Sequence, residues 1–160
     1  MGDVCVRAAR HEDAEAVAAL KVAAWRAAYP GIVPRDVLDA LDVADETRAW
    51  RAYLEDLPPG DRLWLAVHGD RVVGYARTGP GEVHGLYAAP DLIGAGVGGA
   101  LLEHAVSDFA RRGFEVATLW HFAGNDRAAG FYEHLGFRLD GARRGSEHGA
   151  DELRRVRPLA

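Results

Sequence analysis

Residues 93–99 read IGAGVGG, and four of the six residues from 94 to 99 are glycine. Glycine loses more conformational freedom on folding than any other residue, so this density is costly unless the backbone must turn left-handed or approach something closely. The loop stands between an apolar segment, GEVHGLYAAP at 81–90, and GALLEHAVSDFARRG at 99–113, whose Ala100, Leu101, Ala105 and Phe109 fall on one face of a helix capped by Gly113. A strand that feeds a helix through a glycine turn aims the first amides of the helix at one point. The helix dipole makes that point a place for an anion. The chain is thereby constrained to a sheet with a helix on its face and a phosphate-binding turn where the two meet; a glycine turn without a ligand is the bland alternative.

The remaining segments supply the sheet. VCVRAA at 4–9 alternates as a strand, and HEDAEAVAALKVAAWRAAY at 11–29 follows as a helix with Ala14, Val17, Ala18 and Leu20 on one face, closed by Pro30. Residues 32–57 carry a second amphipathic segment with a break expected near 42–45, and PPGD at 58–61 is a turn. RLWLAVHGDRVVGYARTG at 62–79 holds two apolar runs separated by HGD, which reads as a hairpin. A strand at 114–122, a short helix at 126–136 and two final strands within 137–141 and 152–159 complete the order. The expectation is one domain over 1–160 of α+β (mixed α/β) class, with a twisted mixed sheet of about six or seven strands flanked by helices.

Composition narrows the chemistry. Apolar residues make up 49% and charged residues 27%, the balance of a globular chain. A net charge of −5 argues against nucleic acid, and no apolar run approaches the length of a bilayer span. A cytoplasmic protein is the simplest reading. The single cysteine, Cys5, excludes an internal disulfide and reads as a core thiol on the first strand. No histidine and carboxylate spacing suggests a metal site.

Three phosphate ligands compete for the loop. Gly94, Gly96 and Gly99 spell G-x-G-x-x-G, but a dinucleotide fold needs an acidic residue near the end of the next strand, which here reads Trp120, His121, Phe122. A triphosphate loop needs a Lys-Ser or Lys-Thr after the glycines, and none follows. The third candidate is the pyrophosphate of coenzyme A. NDRAAGFYEHLGF at 125–137, one strand after PDLIGAGVGGALL at 90–102, resembles the paired signatures of the GNAT superfamily of N-acetyltransferases, and WRAAYPGIVP at 25–34 and EVHGLYAAP at 82–90 are similar to further family segments.

The resemblance implies a GNAT-like fold in which two parallel strands, here HGLYAA and ATLWHF, splay apart after a bulge and admit the pantetheine arm of acetyl-CoA. It implies acetyl-CoA as acyl donor, without a metal, and a small-molecule or peptide amine as acceptor. Main-chain groups at Leu86, Tyr87 and Ala88 would meet the arm, and Ile93, Gly94, Ala95, Gly96, Val97, Gly98 and Gly99 the pyrophosphate. Asn125, Ala128, Phe131 and Tyr132 would complete the cofactor contacts. Ile93 stands where the family usually has Gln or Arg, a lost charge-assisted bond for which Arg111, Arg112 or Arg127 would substitute.

Direct attack by an amine on a thioester needs a proton acceptor, an oxyanion donor and a group that meets the departing thiolate. Tyr132 matches the family tyrosine for the last role. Glu82 is the expected base, with His84 on the same strand face as its rival and His121 as a further one. Asn125 either orients the cofactor or caps its helix. Trp25 and Tyr29, four residues apart on one helix face, are expected with Glu82 and His121 at the acceptor site, and Asp36, Asp39, Asp42 and Asp45 would attract a cationic amine. The alternative of a different class is an acyl-CoA-binding regulatory or scaffold protein without turnover. A homodimer is common in the family.

Overall fold

The computed structural model describes residues 2–159. Seven strands form one sheet: β1 (Cys5–Ala8), β2 (Arg62–His68), β3 (Arg71–Gly79), β4 (Glu82–Ala88), β5 (Val116–Phe122), β6 (Arg138–Gly145) and β7 (Asp151–Pro158). Their spatial order is β1-β2-β3-β4-β5-β7-β6, and every neighbouring pair is antiparallel except β4 and β5. The helices are α1 (Ala14–Ala28), α2 (Arg35–Ala40), α3 (Val43–Glu55), α4 (Val97–Arg111) and α5 (Asp126–His134). None is long and apolar enough among the described residues to cross a membrane.

Local chemistry sets the boundaries. The break in the second amphipathic segment falls at Leu41 and Asp42, where the Asp42 carboxylate accepts from the Asp45 amide at 3.0 Å and caps α3. Gly96, at φ 91°, is the left-handed entry to α4, a conformation that costs a residue with a Cβ about 1–2 kcal/mol. The hairpin β2–β3 turns at Gly69, as HGD suggests.

Two apolar layers hold the sheet. On one face Ala14, Val17 and Ala18 of α1 and Trp50 of α3 pack on Leu63, Leu65 and Tyr75. On the other, Leu102, Ala105, Val106 and Phe109 of α4 and Tyr132 of α5 pack on Val83, Ala117, Leu119 and Phe137. Each fully buried Leu or Phe contributes about 1.5–3 kcal/mol. The buried stripe of α4 is wider than the expected one: Leu102 and Val106 join it and Ala100 is only half-buried, because the helix lies across several strands. Contact is closest at Gly74 on β3, where a Cβ would lie 2.7 Å from Val97 Cγ1 and 2.9 Å from Leu101 Cδ1.

Cys5 is not a core thiol. Alternation on β1 sends Val4 and Val6 into the core beneath α4, and Cys5, on the opposite face of this edge strand, is exposed.

The site is made by two irregularities of β4. Arg77 pairs with Gly85 and Thr78 with Val83, so His84 is an extra residue, a bulge that bends the strand. Beyond it β4 leaves β5: the parallel ladder holds Glu82 to Thr118 and Val83 to Leu119 and goes no further. The facing edges of residues 84–88 and 120–122 then diverge without each other's hydrogen bonds.

Candidate active site

The divergence opens a cavity of about 830 Å³ that runs from Ile93, at the head of the glycine loop, to the C-terminal half of α1, although residues 94–99 themselves do not line it. Ile93, Asn125 and Arg127 line one end, Gly85, Leu86, Tyr87 and Ala88 one side, and Trp120, His121 and Phe122 the other. Trp25 and Tyr29 lie at the far end with Ser146 and His148.

At the loop end, the amides of Gly94, Gly96, Val97, Gly98 and Gly99 have no intramolecular acceptor among the described residues. These are the donors left over by the start of α4 and the left-handed turn before it. A Cβ at Gly94, Gly96 or Gly99 would meet nothing within 4 Å, so no part of the protein requires a bare backbone there except through φ at Gly94 and Gly96. Gly98 differs, since a Cβ would lie 3.2 Å from the Phe131 ring of α5. Ile93 is 47% exposed. Of the three arginines expected to replace its missing charge, Arg111 and Arg112 lie at the opposite end of α4, about 20 Å away along the helix, and bind Asp108. Arg127, in the first turn of α5, lines the cavity, is exposed, and has no ion pair among the described residues.

Asn125 caps α5 by accepting from the Ala128 amide at 3.2 Å, the plainer of its two readings, and it also lines the cavity. Ala128 and Tyr132 line the cavity as well, whereas Phe131 supports Gly98. Tyr132 is 9% exposed. Burial, with Tyr29 a lesser influence, pushes its pKa well above the ordinary phenol value. The hydroxyl is therefore a donor at every working pH.

On β4, His84 lines the cavity and Glu82 stands behind it: His84 Nδ1 lies 2.8 Å from Glu82 Oε2. The ring fits because the facing residue is Gly79, whose missing Cβ would come within 2.5 Å of His84 Nε2. Contact with His84 holds the Glu82 carboxyl below its usual pKa, against desolvation, and Thr118 Oγ1 donates to its other oxygen at 3.5 Å. Glu82 is thus ionised at neutral pH, and its place at the acceptor site is one residue removed from the cavity wall.

His121 lines the cavity but its nitrogens are engaged. Nδ1 lies 3.0 Å from the Phe122 carbonyl, and Nε2 accepts from Arg155 Nε at 2.8 Å. Both ring nitrogens are thus engaged within the protein.

The far end is aromatic. Trp25 meets Tyr29 edge-on at 5.1 Å and His148 at 5.6 Å, and the Tyr29 and Tyr87 hydroxyls share a hydrogen bond of 2.9 Å. Arg144 pairs with Glu152 at 3.0 Å, above the Trp120 ring, and Lys21 with Glu46 at 3.0 Å, while the exposed Glu147 carboxylate meets His148 Nε2 at 3.4 Å. The acidic run of the second segment does not line the cavity. Asp39 pairs with Arg35, Asp42 caps α3 and Asp45 pairs with Arg48, all local uses outside the cavity wall. Sequence reading missed Arg144, Ser146, His148 and Glu152. They reach the cavity through the β6–β7 hairpin and the Phe122 to Glu152 register, which no local pattern announces.

Residues 24–137 match the model of the Acetyltransferase (GNAT) family. A probable N-acetyltransferase of Mycobacterium tuberculosis is 30% identical over 149 residues, covering 87% of this chain and 82% of its own. The peptidyl-lysine N-acetyltransferase YjaB of Escherichia coli is 30% identical over 139 residues, covering 86% and 84%. A crystal structure of a GCN5-related N-acetyltransferase from Rhodopseudomonas palustris superposes with a TM-score of 0.84 at 24% identity, over 99% of this chain and 98% of that one. The glycine turn, the bulged β4 and the parted strands thus occur in a chain whose relatives share its whole plan, and this protein belongs to the GNAT family of acetyltransferases and is an acyltransferase.

Proposed function

We propose that the chain transfers the acetyl group of acetyl-CoA to a primary amine of a small molecule or a peptide N-terminus, by direct attack of the neutral amine. The observation that carries this is the gap between β4 and β5: paired strands part after Val83 and Leu119, and the cavity between them reaches from Ile93, next to the unpaired amides of the glycine turn, to Tyr132. The chain's residues divide the work. The unpaired amides among residues 94–99, together with the exposed Arg127 on the cavity wall, suit a pyrophosphate. The free edge of β4 at Leu86 and Ala88 supplies main-chain donors for the arm and the thioester oxygen.

The Glu82–His84 pair takes the ammonium proton, with His84 as the cavity-facing member. Tyr132 donates a hydrogen bond to the departing sulfur rather than its proton, because a buried phenol is a weaker acid than a thiol. Trp25, Tyr29 and Phe122 wall the acceptor end, and Glu147 adds an exposed carboxylate to the cavity lining. The name of the E. coli relative adds a protein lysine to the acceptors worth assaying.

Melting with acetyl-CoA, CoA, NAD(P) and ATP, followed by thiol release with a panel of amines and peptides, tests the reading. Stabilisation by acetyl-CoA and CoA alone, with thiol released only when an amine is present, is the expected result. Stabilisation by NAD(P) or ATP instead would sink it.

A further inference from the structure

Arg155 is 5% exposed and has no carboxylate within ion-pair distance among the described residues. Its neighbours on β7, Arg154 and Arg157, hold Asp140 and Glu103 near the surface. Arg155 instead turns inward under α5, where Nε donates to His121 Nε2 at 2.8 Å and Nη1 to the Phe137 carbonyl at 3.0 Å. A guanidinium is always charged, so burying it without a counter-ion is expensive. The mechanism above makes no use of it.

Both of its partners flank Tyr132. The His121 ring stacks on the Tyr132 ring at 6.0 Å and 27°, and the Phe137 ring lies 6.3 Å away on another side. Arginine only donates, so His121 Nε2 must offer a lone pair, and the proton of the neutral ring sits on Nδ1, facing the Phe122 carbonyl. His121 can neither flip nor become an imidazolium without losing the Arg155 bond. We propose that Arg155 is a positioning residue for acetyl transfer: by bonding His121 and the Phe137 carbonyl, it fixes the two rings that set the Tyr132 hydroxyl on the coenzyme A sulfur. The inference rests on the reading of Tyr132 given above. A plain staple between β7 and the α5–β6 turn would need the Phe137 bond alone; the bond to His121 is what reaches Tyr132.

The test uses CoA itself as probe, so it needs no acceptor. The thiol of bound CoA is titrated by the ultraviolet absorbance of its thiolate in the parent protein, Arg155→Met, Tyr132→Phe and the double variant. A well-placed hydroxyl stabilises the thiolate, so the thiol should ionise about 1–2 pH units higher on Tyr132→Phe. Arg155→Met should raise it comparably, and the double variant no further. An unchanged thiol on Arg155→Met, or a double variant showing the sum of two separate shifts, overturns the inference. An unchanged thiol on Tyr132→Phe instead overturns the underlying reading of Tyr132. Nitrogen-15 spectra of the parent protein decide the matter even where Arg155→Met does not fold. They should show the ring proton of His121 on Nδ1 with Nε2 accepting from Arg155, and an Nε2–H ring overturns the inference.

Discussion

Residue by residue, the site is legible where a side chain acts near its own place in the sequence. Tyr132 and Asn125 come from one local motif, and the structure puts both on the cavity wall. His84 could be placed beside Glu82 from strand alternation, although the contact is made through a bulge that alternation does not contain. His121 could be named, but its pairing with Arg155 could not be read, because their meeting depends on a register between strands more than 30 residues apart. Ile93 offers a direct test of the loop. It is exposed, lies at the cavity rim and stands where a cation is usual in the family. Ile93→Arg should lower the Kd for CoA by about 3–10-fold in low salt, with the gain shrinking as salt screens it. Calorimetric titration at two salt concentrations checks this, and an unchanged Kd in low salt would place the pyrophosphate elsewhere.

At the level of elements, periodicity foretold which segments are helices and which are strands, since each buries one face on a single sheet. The parting of β4 from β5 was not in that pattern; the resemblance alone suggested it, and only the unpaired residues beyond Val83 display it. Glycines on and around α4 report why the helix sits where it does. At Gly74 an added methyl would collide with Val97 and Leu101, so Gly74→Ala should destabilise by about 1–3 kcal/mol; by moving the start of α4, it should also raise the KM for acetyl-CoA. Gly99 is the counter-case, helical and open on every side. Gly99→Ala should stabilise the free protein by about 0.5–1 kcal/mol through helix propensity, yet weaken CoA where the ligand approaches the backbone. Melting and binding measured on both variants check the pair of signs, and tighter CoA binding by Gly99→Ala would mean that the ligand does not come near this residue.

Across the whole molecule, charge and seam make separate demands. Arg7 binds Asp13 through two bonds, of 2.8 and 3.0 Å, and holds its carboxyl below the usual pKa, as His84 does for Glu82. A depressed carboxylate pKa adds stability that is complete above the unfolded value of about 4 and disappears as pH falls through the lower folded value. Melting temperature should therefore drop below about pH 4, with a shallower slope for Asp13→Asn; an identical slope would remove Asp13 from the account. The seam behaves differently. Strands β1–β4 and β5–β7 share one sheet through only two paired positions, Glu82 with Thr118 and Val83 with Leu119. A ligand that fills the gap would add the missing rungs. At 100 times its dissociation constant CoA should contribute about 2.7 kcal/mol, or about 5–10 °C in Tm for a chain of this size. The protection should be local as well as global: amide exchange should slow most at residues 85–88 and 120–122, the two edges that face each other across the gap. Exchange that slows evenly over the sheet, with the same rise in Tm, would show that CoA binds without entering the seam.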